Sequence, residues 1–111
     1  MTDKQKHYCA LICENYGIES QLRQTVEELS ELITAICKLK RPLKADDLGE
    51  KMREFAQLHD DVKSEIADVE IMLEQIKHYF VYDDIDNYIE YKIKRQIVRM
   101  GVDTDITKEG D

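Results

Sequence analysis

Two pairs of acidic residues lie at helical spacing inside hydrophobic segments of this 111-residue sequence. Glu28 and Glu31 are three residues apart, and so are Glu65 and Asp68. On a helical wheel, Glu65 falls inside the apolar stripe of its own segment, while Glu28 and Asp68 border apolar residues. Burying an ionised carboxylate without a partner is costly, so acids that face a core need cations or a metal ion.

These four acids predict a divalent metal site. Four carboxylates balance the charge of two divalent cations, and ligand sets made of oxygen alone favour Mg²⁺, with Mn²⁺ as the other candidate, over zinc or copper. The alternative is a set of solvent-facing acids that pair with Lys63, Lys38 or Arg23. A di-iron bundle is disfavoured, because no His follows an acid by three residues.

A group of cations lies near the end of the sequence. Lys92, Gln96 and Arg99 stack at i, i+4 and i+7, and Arg95 lies beside them. Cations at the border of a core-facing stripe fit either a phosphate-binding surface or salt bridges to acids of a neighbouring helix. The sequence has no Walker loop or Rossmann fingerprint, so phosphate binding would rest on metal and side chains.

Four helices are needed to position these residues. Apolar periodicity and capping residues predict them at about residues 3–16, 21–40, 61–81 and 85–100. We expect Gly17 and Gly101 to end the first and last, and Ser20 and the turn at 82–84 to cap the second and fourth.

Residues 43–59 admit two interpretations, a short helix capped by Asp46 or Asp47 and running to Leu58, or a mobile segment. Residues 102–111 read as a polar, flexible tail. The predicted domain therefore covers residues 1–101.

Short connections between long amphipathic helices favour an all-α fold, an antiparallel four-helix bundle. The second helix carries the broadest apolar surface. Its stripe consists of Leu22, Val26, Leu29, Ile33 and Ile36, widened by Leu32 and Leu39. Because one neighbouring helix cannot cover so wide an arc, this helix is either central in the monomer or part of a subunit interface. We expect a homo-oligomer.

Composition excludes several classes of protein. With 24 acidic and 16 basic residues, a formal charge of −8 disfavours a general nucleic-acid binder. No apolar run is long enough for a membrane span, and no signal peptide is evident. Cys9, Cys13 and Cys37 lack metal-site spacing and are expected to be buried thiols in a reducing cytoplasm. Most other acids, including Glu54 and Glu74, are expected to be solvated.

Three segments together resemble a known family. The segments VEELSEL at 26–32 and SEIADV at 64–69 resemble the ExxE and ExxD motifs of the MazG-like all-α nucleoside triphosphate pyrophosphatases, a superfamily that includes dimeric dUTPases and phosphoribosyl-ATP pyrophosphatase. The run KIKRQIVR at 92–99 is similar to the family's basic motif, with Arg95-Gln96 where a Lys-Asn pair is common. The connection between Glu31 and Glu65 is long compared with many members.

The resemblance implies a helical bundle that forms a homodimer or dimer of dimers and depends on Mg²⁺. It implies hydrolysis of a nucleoside triphosphate to the monophosphate and pyrophosphate, as in nucleotide-pool housecleaning. The implied roles are metal binding by Glu28, Glu31, Glu65 and Asp68, catalysis by Glu27 and Glu28, and phosphate binding by Lys92, Arg95, Gln96 and Arg99. The alternative is a non-catalytic helical oligomerisation or interaction module whose acids are salt-bridged without metal.

Overall fold

The computed structural model describes residues 1–101, which form helices and no strands. The helices are α1 (Asp3–Tyr16), α2 (Ile18–Leu39), α3 (Leu48–Tyr79) and α4 (Tyr82–Met100). The all-α prediction is confirmed, and none of these helices is long and apolar enough to cross a membrane. The predicted tail at 102–111 lies outside the described residues.

The chain divides into two compact units, Met1–Ile76 and the part from Lys77 onward. The first unit holds α1, α2 and most of α3, and the second holds the end of α3 and α4. Both predicted acidic pairs belong to the first unit, and the predicted basic residues belong to the second. The prediction of one domain over residues 1–101 stays a prediction.

Helix α1 has the bounds that its sequence predicts. Thr2 and Gln5 form a capping box, in which the Thr2 hydroxyl accepts from the Gln5 amide at 3.1 Å and the Gln5 side chain accepts from the Thr2 amide at 2.8 Å. Gly17 ends α1 with a positive φ of 88° and also serves as the N-cap of α2. Ser20 was expected to cap α2. That prediction is wrong, because α2 begins at Ile18 and Ser20 lies inside its first turn.

Helix α3 is a single helix of 32 residues, longer than predicted. The Asp47 carboxylate accepts from the Glu50 amide at 2.9 Å and caps its start. The sequence from His59 to Asp61 was expected to separate two helices. It contains no Pro or Gly, and Asp61 accepts a hydrogen bond from the Gln57 side chain one turn earlier at 2.8 Å, so the helix continues through it.

The connection between α2 and α3 is fastened to α3 by Glu54. The Glu54 carboxylate accepts from the Lys44 amide at 2.9 and 3.0 Å and from the Ala45 amide at 2.9 Å. The hydrogen bonds from Lys44, and then those from Ala45, lower the pKa of Glu54. Glu54 is therefore a half-buried anchor for the connection, and the prediction that it is a solvated surface acid is wrong.

Replacing Glu54 with Gln is expected to loosen the connection. An amide offers one acceptor oxygen without charge, so the Lys44 and Ala45 amides lose protection and their hydrogen exchange accelerates at neutral pH. The lowered pKa of Glu54 gives a contribution to stability that is present above about pH 4.3, its ordinary pKa, and is lost as the pH falls further. The wild-type protein should therefore lose more stability than the variant in that acid range.

Hydrogen-exchange mass spectrometry across residues 40–47 measures the first effect, and thermal unfolding at several pH values measures the second. Glu50→Gln makes the same charge change at an exposed position one turn earlier. Equal rates of amide hydrogen exchange in the wild-type protein and in the Glu54 variant would show that the hydrogen bonds to Glu54 do not hold the connection.

Helix α2 packs through the side of its predicted apolar surface that Leu32 and Leu39 widen, and not through the centre of the stripe. Its buried residues are Gln21, Thr25 and Ala35, and a face centred on them lies about 100° around the helix from the predicted stripe. Val26 and Ile33 of that stripe are 67% and 62% exposed. Thr25 and Ala35 are small enough to allow close helix approach, which the larger side chains of the stripe do not.

A polar layer lies inside the first unit where hydrophobic residues were expected. The side-chain amide nitrogen of Gln21 donates to the side-chain oxygen of Gln75 at 2.7 Å, and Gln75 is 2% exposed. Because its hydrogen bonds are satisfied, this pair is tolerated in the interior. Glu74 is also buried, so the prediction that it is a solvated acid is wrong.

The cysteines divide into two groups. Cys9 and Cys13 are buried in α1, as predicted, and burial raises the pKa of each thiol, with smaller contributions from the charges of Glu74 and Glu14 respectively. Buried thiols with raised pKa values are poor nucleophiles. Cys37 is exposed on α2, so the prediction that it is buried is wrong.

In the second unit, α4 begins three residues earlier than predicted. Its N-cap is Val81, which has a φ of 61° and makes no side-chain capping hydrogen bond, so the predicted cap at 82–84 is wrong. The rings of His78 and Tyr82 lie 5.5 Å apart at the junction of α3 and α4. Gly101 ends α4 in the left-handed conformation, as predicted.

Candidate metal centre

Three carboxylates converge in the first unit. Glu28 and Glu31 of α2 and Glu65 of α3 each offer an oxygen, and these oxygens lie within 4.8 Å of one another. The three-residue spacing places Glu28 and Glu31 side by side on one face of α2. Because α3 is continuous from Leu48, it carries Glu65 on a rigid helix beside them.

Two oxygens of this cluster are shielded from solvent without a hydrogen-bond partner among residues 1–101. They are Oε2 of Glu28 and Oε2 of Glu65. The other Glu28 oxygen accepts from the Gln24 side chain at 2.9 Å, which fixes that carboxylate on α2. A shielded carboxylate oxygen without a partner is destabilising, and a bound cation would remove that cost.

The pKa of Glu31 is raised by the neighbouring acids of the cluster. The charge of Glu28 raises the pKa of Glu31 most, followed by partial desolvation and the charge of Glu65. Hydrogen bonding to these two acids raises the pKa of Glu31 further. A divalent cation placed among the three acids would reverse this and favour the ionised form of each.

Three basic residues are the alternative partners that the sequence suggested for these acids. Within the described residues, Arg23, Lys38 and Lys63 make no ion pair with the cluster. The acids are therefore held together by the packing of α2 and α3 rather than by salt bridges to those side chains.

Asp68 and Glu27 lie outside the cluster. Asp68 is half-buried on α3, one turn beyond Glu65, and its side chain is one methylene shorter than that of a glutamate. Glu27 is exposed on α2, where its carbonyl oxygen accepts from the Ser30 hydroxyl at 3.0 Å. Of the four predicted metal ligands, the structure brings together three.

A cavity of about 310 Å³ adjoins the cluster. Its lining residues come from α2 and α3 and are Glu31, Thr34, Ala35, Lys38, Leu58, Asp61, Ser64 and Glu65. This cavity was not predicted from the sequence, because the third helix was expected to begin only at about residue 61. The signal was present in the spacing: Thr34 and Lys38 follow Glu31 at i+3 and i+7, and Asp61 precedes Glu65 by one turn.

The predicted phosphate-binding residues lie on α4, in the second unit. Lys92, Arg95, Gln96 and Arg99 are all exposed. Arg95 and Arg99 share an open depression with Tyr91, and the Arg95 guanidinium lies 5.5 Å from the centre of the Tyr91 ring. Lys92 and Gln96 do not line this depression, although they lie on the same side of α4 as Arg99.

Comparison with known proteins gives no match: no family model, curated protein or solved structure is similar to this chain. The resemblance of its motifs to the MazG-like pyrophosphatases therefore stays a prediction. A function for this chain is therefore inferred from the residues of the site itself.

Proposed function

We propose that this protein is a Mg²⁺-dependent nucleoside triphosphate pyrophosphohydrolase, which cleaves an NTP or dNTP to the monophosphate and pyrophosphate. The observation that supports the proposal is the cluster of Glu28, Glu31 and Glu65 with its two shielded oxygens that have no hydrogen-bond partner. Oxygen ligands in this number fit Mg²⁺ or Mn²⁺, which retain several waters when bound to proteins.

Different residues of the chain are assigned to metal binding and to orienting the attacking water. Glu28, Glu31 and Glu65 would hold the metal, with Asp68 one turn beyond them. When bound, Mg²⁺ supplies Lewis-acid polarisation of phosphate oxygens and lowers the pKa of a coordinated water. The exposed carboxylate of Glu27 is assigned to orient the attacking water and accept its proton.

The basic residues of α4 complete the proposed mechanism. The side chains of Lys92, Arg95, Gln96 and Arg99 are assigned to bind the phosphate groups. Arginine presents paired N–H donors that match phosphate oxygens, and its charge would stabilise the negative charge that develops on the leaving pyrophosphate. Of these four, Arg95 and Arg99 line the same depression on α4.

We further propose an antiparallel bundle that assembles in the cytoplasm as a homodimer or dimer of dimers. Early α2 meets late α3 through Gln21 and Gln75, and late α2 meets early α3 where Lys38 and Leu58 line the cavity, as antiparallel helices require. Val26, Leu29, Ile33 and Ile36 form an exposed apolar stripe on α2, which a second copy would cover.

Ile33→Asp is expected to shift the protein from oligomer to monomer. A charge placed in the middle of the apolar stripe would be buried without a partner in the interface, so association is expected to weaken at least about tenfold. Sedimentation equilibrium measures this shift. Ser20→Asp introduces the same residue on the opposite, exposed face of α2 and should leave the assembly unchanged.

Incubation with a panel of NTPs and dNTPs, with and without Mg²⁺, tests the proposed activity through pyrophosphate release. Release that requires Mg²⁺ and stops with a chelator supports the proposal. The exposed stripe also fits a non-catalytic oligomerisation module. The absence of pyrophosphate release from every nucleotide, phosphoribosyl-ATP included, would favour that module.

A further inference from the structure

The cavity beside the carboxylate cluster has a cation at its far end. Lys38 lies seven residues after Glu31 on α2, a rise of about 10.5 Å along the helix axis. Leu58 lies seven residues before Glu65 on α3 and is therefore displaced from the cluster by the same two turns. The cavity thus runs from the acids at one end to Lys38 and Leu58 at the other.

The charges along this cavity are not neutralised within the described chain. Glu31, Glu65 and Asp61 line it, yet the Lys38 ammonium forms no ion pair or hydrogen bond with any residue among 1–101. Thr34 and Ser64 add hydroxyl groups between the two ends. An acidic end that takes a metal ion and a separate cationic end are complementary to a metal-bound anion of extended shape.

We propose that Lys38 binds the polyphosphate chain of the substrate, at the end of the cavity opposite the metal, so that the first unit supplies its own phosphate-binding residue. This inference rests on the proposed function. At about 310 Å³, the cavity is at the lower limit of small-molecule sites, which suits a chain of two phosphates rather than a whole nucleotide.

The separation of the two ends selects the ligand class. The attachment points of the two ends differ by two helical turns, so a single phosphate bound at the metal would span less of the cavity than an extended anion. A pyrophosphate group reaches further along the cavity and brings its distal oxygens toward the ammonium. Lys38 is therefore expected to distinguish pyrophosphate from orthophosphate.

Isothermal titration calorimetry of the full chain tests the assignment. Mg²⁺ is titrated first, and inorganic pyrophosphate is then titrated into protein saturated with Mg²⁺. Lys38→Gln is expected to bind Mg²⁺ as the wild-type protein does and to bind pyrophosphate about tenfold more weakly, as loss of one charge-assisted hydrogen bond implies. Lys38→Arg should restore most of the affinity.

Lys40→Gln is the matched control, because it removes the same charge two residues later, at the exposed C-cap of α2, and Lys40 does not line the cavity. It should leave pyrophosphate binding unchanged. Wild-type affinity for pyrophosphate in Lys38→Gln, with Mg²⁺ binding intact, would overturn the role of Lys38 alone. Failure of the wild-type protein to bind Mg²⁺ would instead overturn the proposed function and this inference with it.

Discussion

Replacement of Glu65 with Gln is expected to abolish Mg²⁺-dependent pyrophosphate release, with a loss of more than about a hundredfold. Glu65 is the member of the carboxylate cluster that α3 provides, and its Oε2 is shielded without a hydrogen-bond partner among the described residues. The amide keeps the size of the side chain but carries no charge, so it is a poor ligand for a hard divalent cation. Steady-state assays at saturating and limiting Mg²⁺ measure the effect.

Glu70→Gln is the matched control for this experiment. Glu70 is an exposed acid five residues later on α3, outside the cluster, so its replacement makes the same charge change at no cost to the site. Circular dichroism should show unchanged helix content in both variants. Full activity of Glu65→Gln with intact helices would remove Glu65 from the metal site.

Glu31→Gln is expected to make the metal-free protein more stable at neutral pH and to weaken its stabilisation by Mg²⁺. The charges of Glu28 and Glu65 oppose ionisation of Glu31, so replacing it with an uncharged residue relieves repulsion in the folded state. In the wild-type protein, Mg²⁺ at a hundred times its Kd should add about 2.7 kcal/mol to the free energy of unfolding. Thermal unfolding with and without Mg²⁺ measures both effects.

The pH dependence of this effect follows from the direction of the shift. The folded pKa of Glu31 is raised, so the folded protein holds a proton that the unfolded chain releases near pH 4.3. Metal-free stability should therefore fall as the pH rises from that value through the raised folded pKa. The Glu31→Gln variant should not show this decrease in stability with rising pH. Equal pH profiles for the two proteins would show that Glu31 is not under repulsion from its neighbours.

The acids could be predicted from the sequence because their signal is local. Glu65 falls within an apolar stripe at helical spacing, and that is enough to place it toward a neighbouring helix. Asp68 shares this periodicity with Glu65 but lies outside the cluster. Periodicity gives the direction of a side chain around its helix, but its reach toward a neighbour depends on side-chain length and on the exact approach of two helices.

The packed face of α2 could not be read from hydrophobicity. Val26 and Ile33 of the apolar stripe stay exposed, while Gln21 and Thr25 are buried. The burial of this face depends on a hydrogen bond between Gln21 and Gln75, which are 54 positions apart in the sequence. No local sequence pattern specifies such a contact. An apolar stripe indicates that a helix face is to be buried, but not whether the same chain or another chain buries it.

The continuity of α3 through residues 59–61 was missed for another reason. Asp47 was correctly considered as a cap, but the acids at Asp60 and Asp61 also look like capping residues, and a second start was placed there. The side-chain hydrogen bond from Gln57 engages Asp61 within the helix. The unbroken helix places Leu58 and Glu65 on one rigid element, so that both line the cavity beside the carboxylate cluster.

Diffraction from crystals grown with Mn²⁺ tests the central claim most directly, because anomalous scattering locates the ion without assuming any activity. The account predicts a Mn²⁺ peak bonded to carboxylate oxygens of Glu28, Glu31 and Glu65, at roughly 2.0 to 2.3 Å. Crystals of Glu65→Gln grown in the same way should lack this peak. A well-ordered cluster without an ion at saturating Mn²⁺, or with its carboxylates paired to basic side chains instead, would contradict the account.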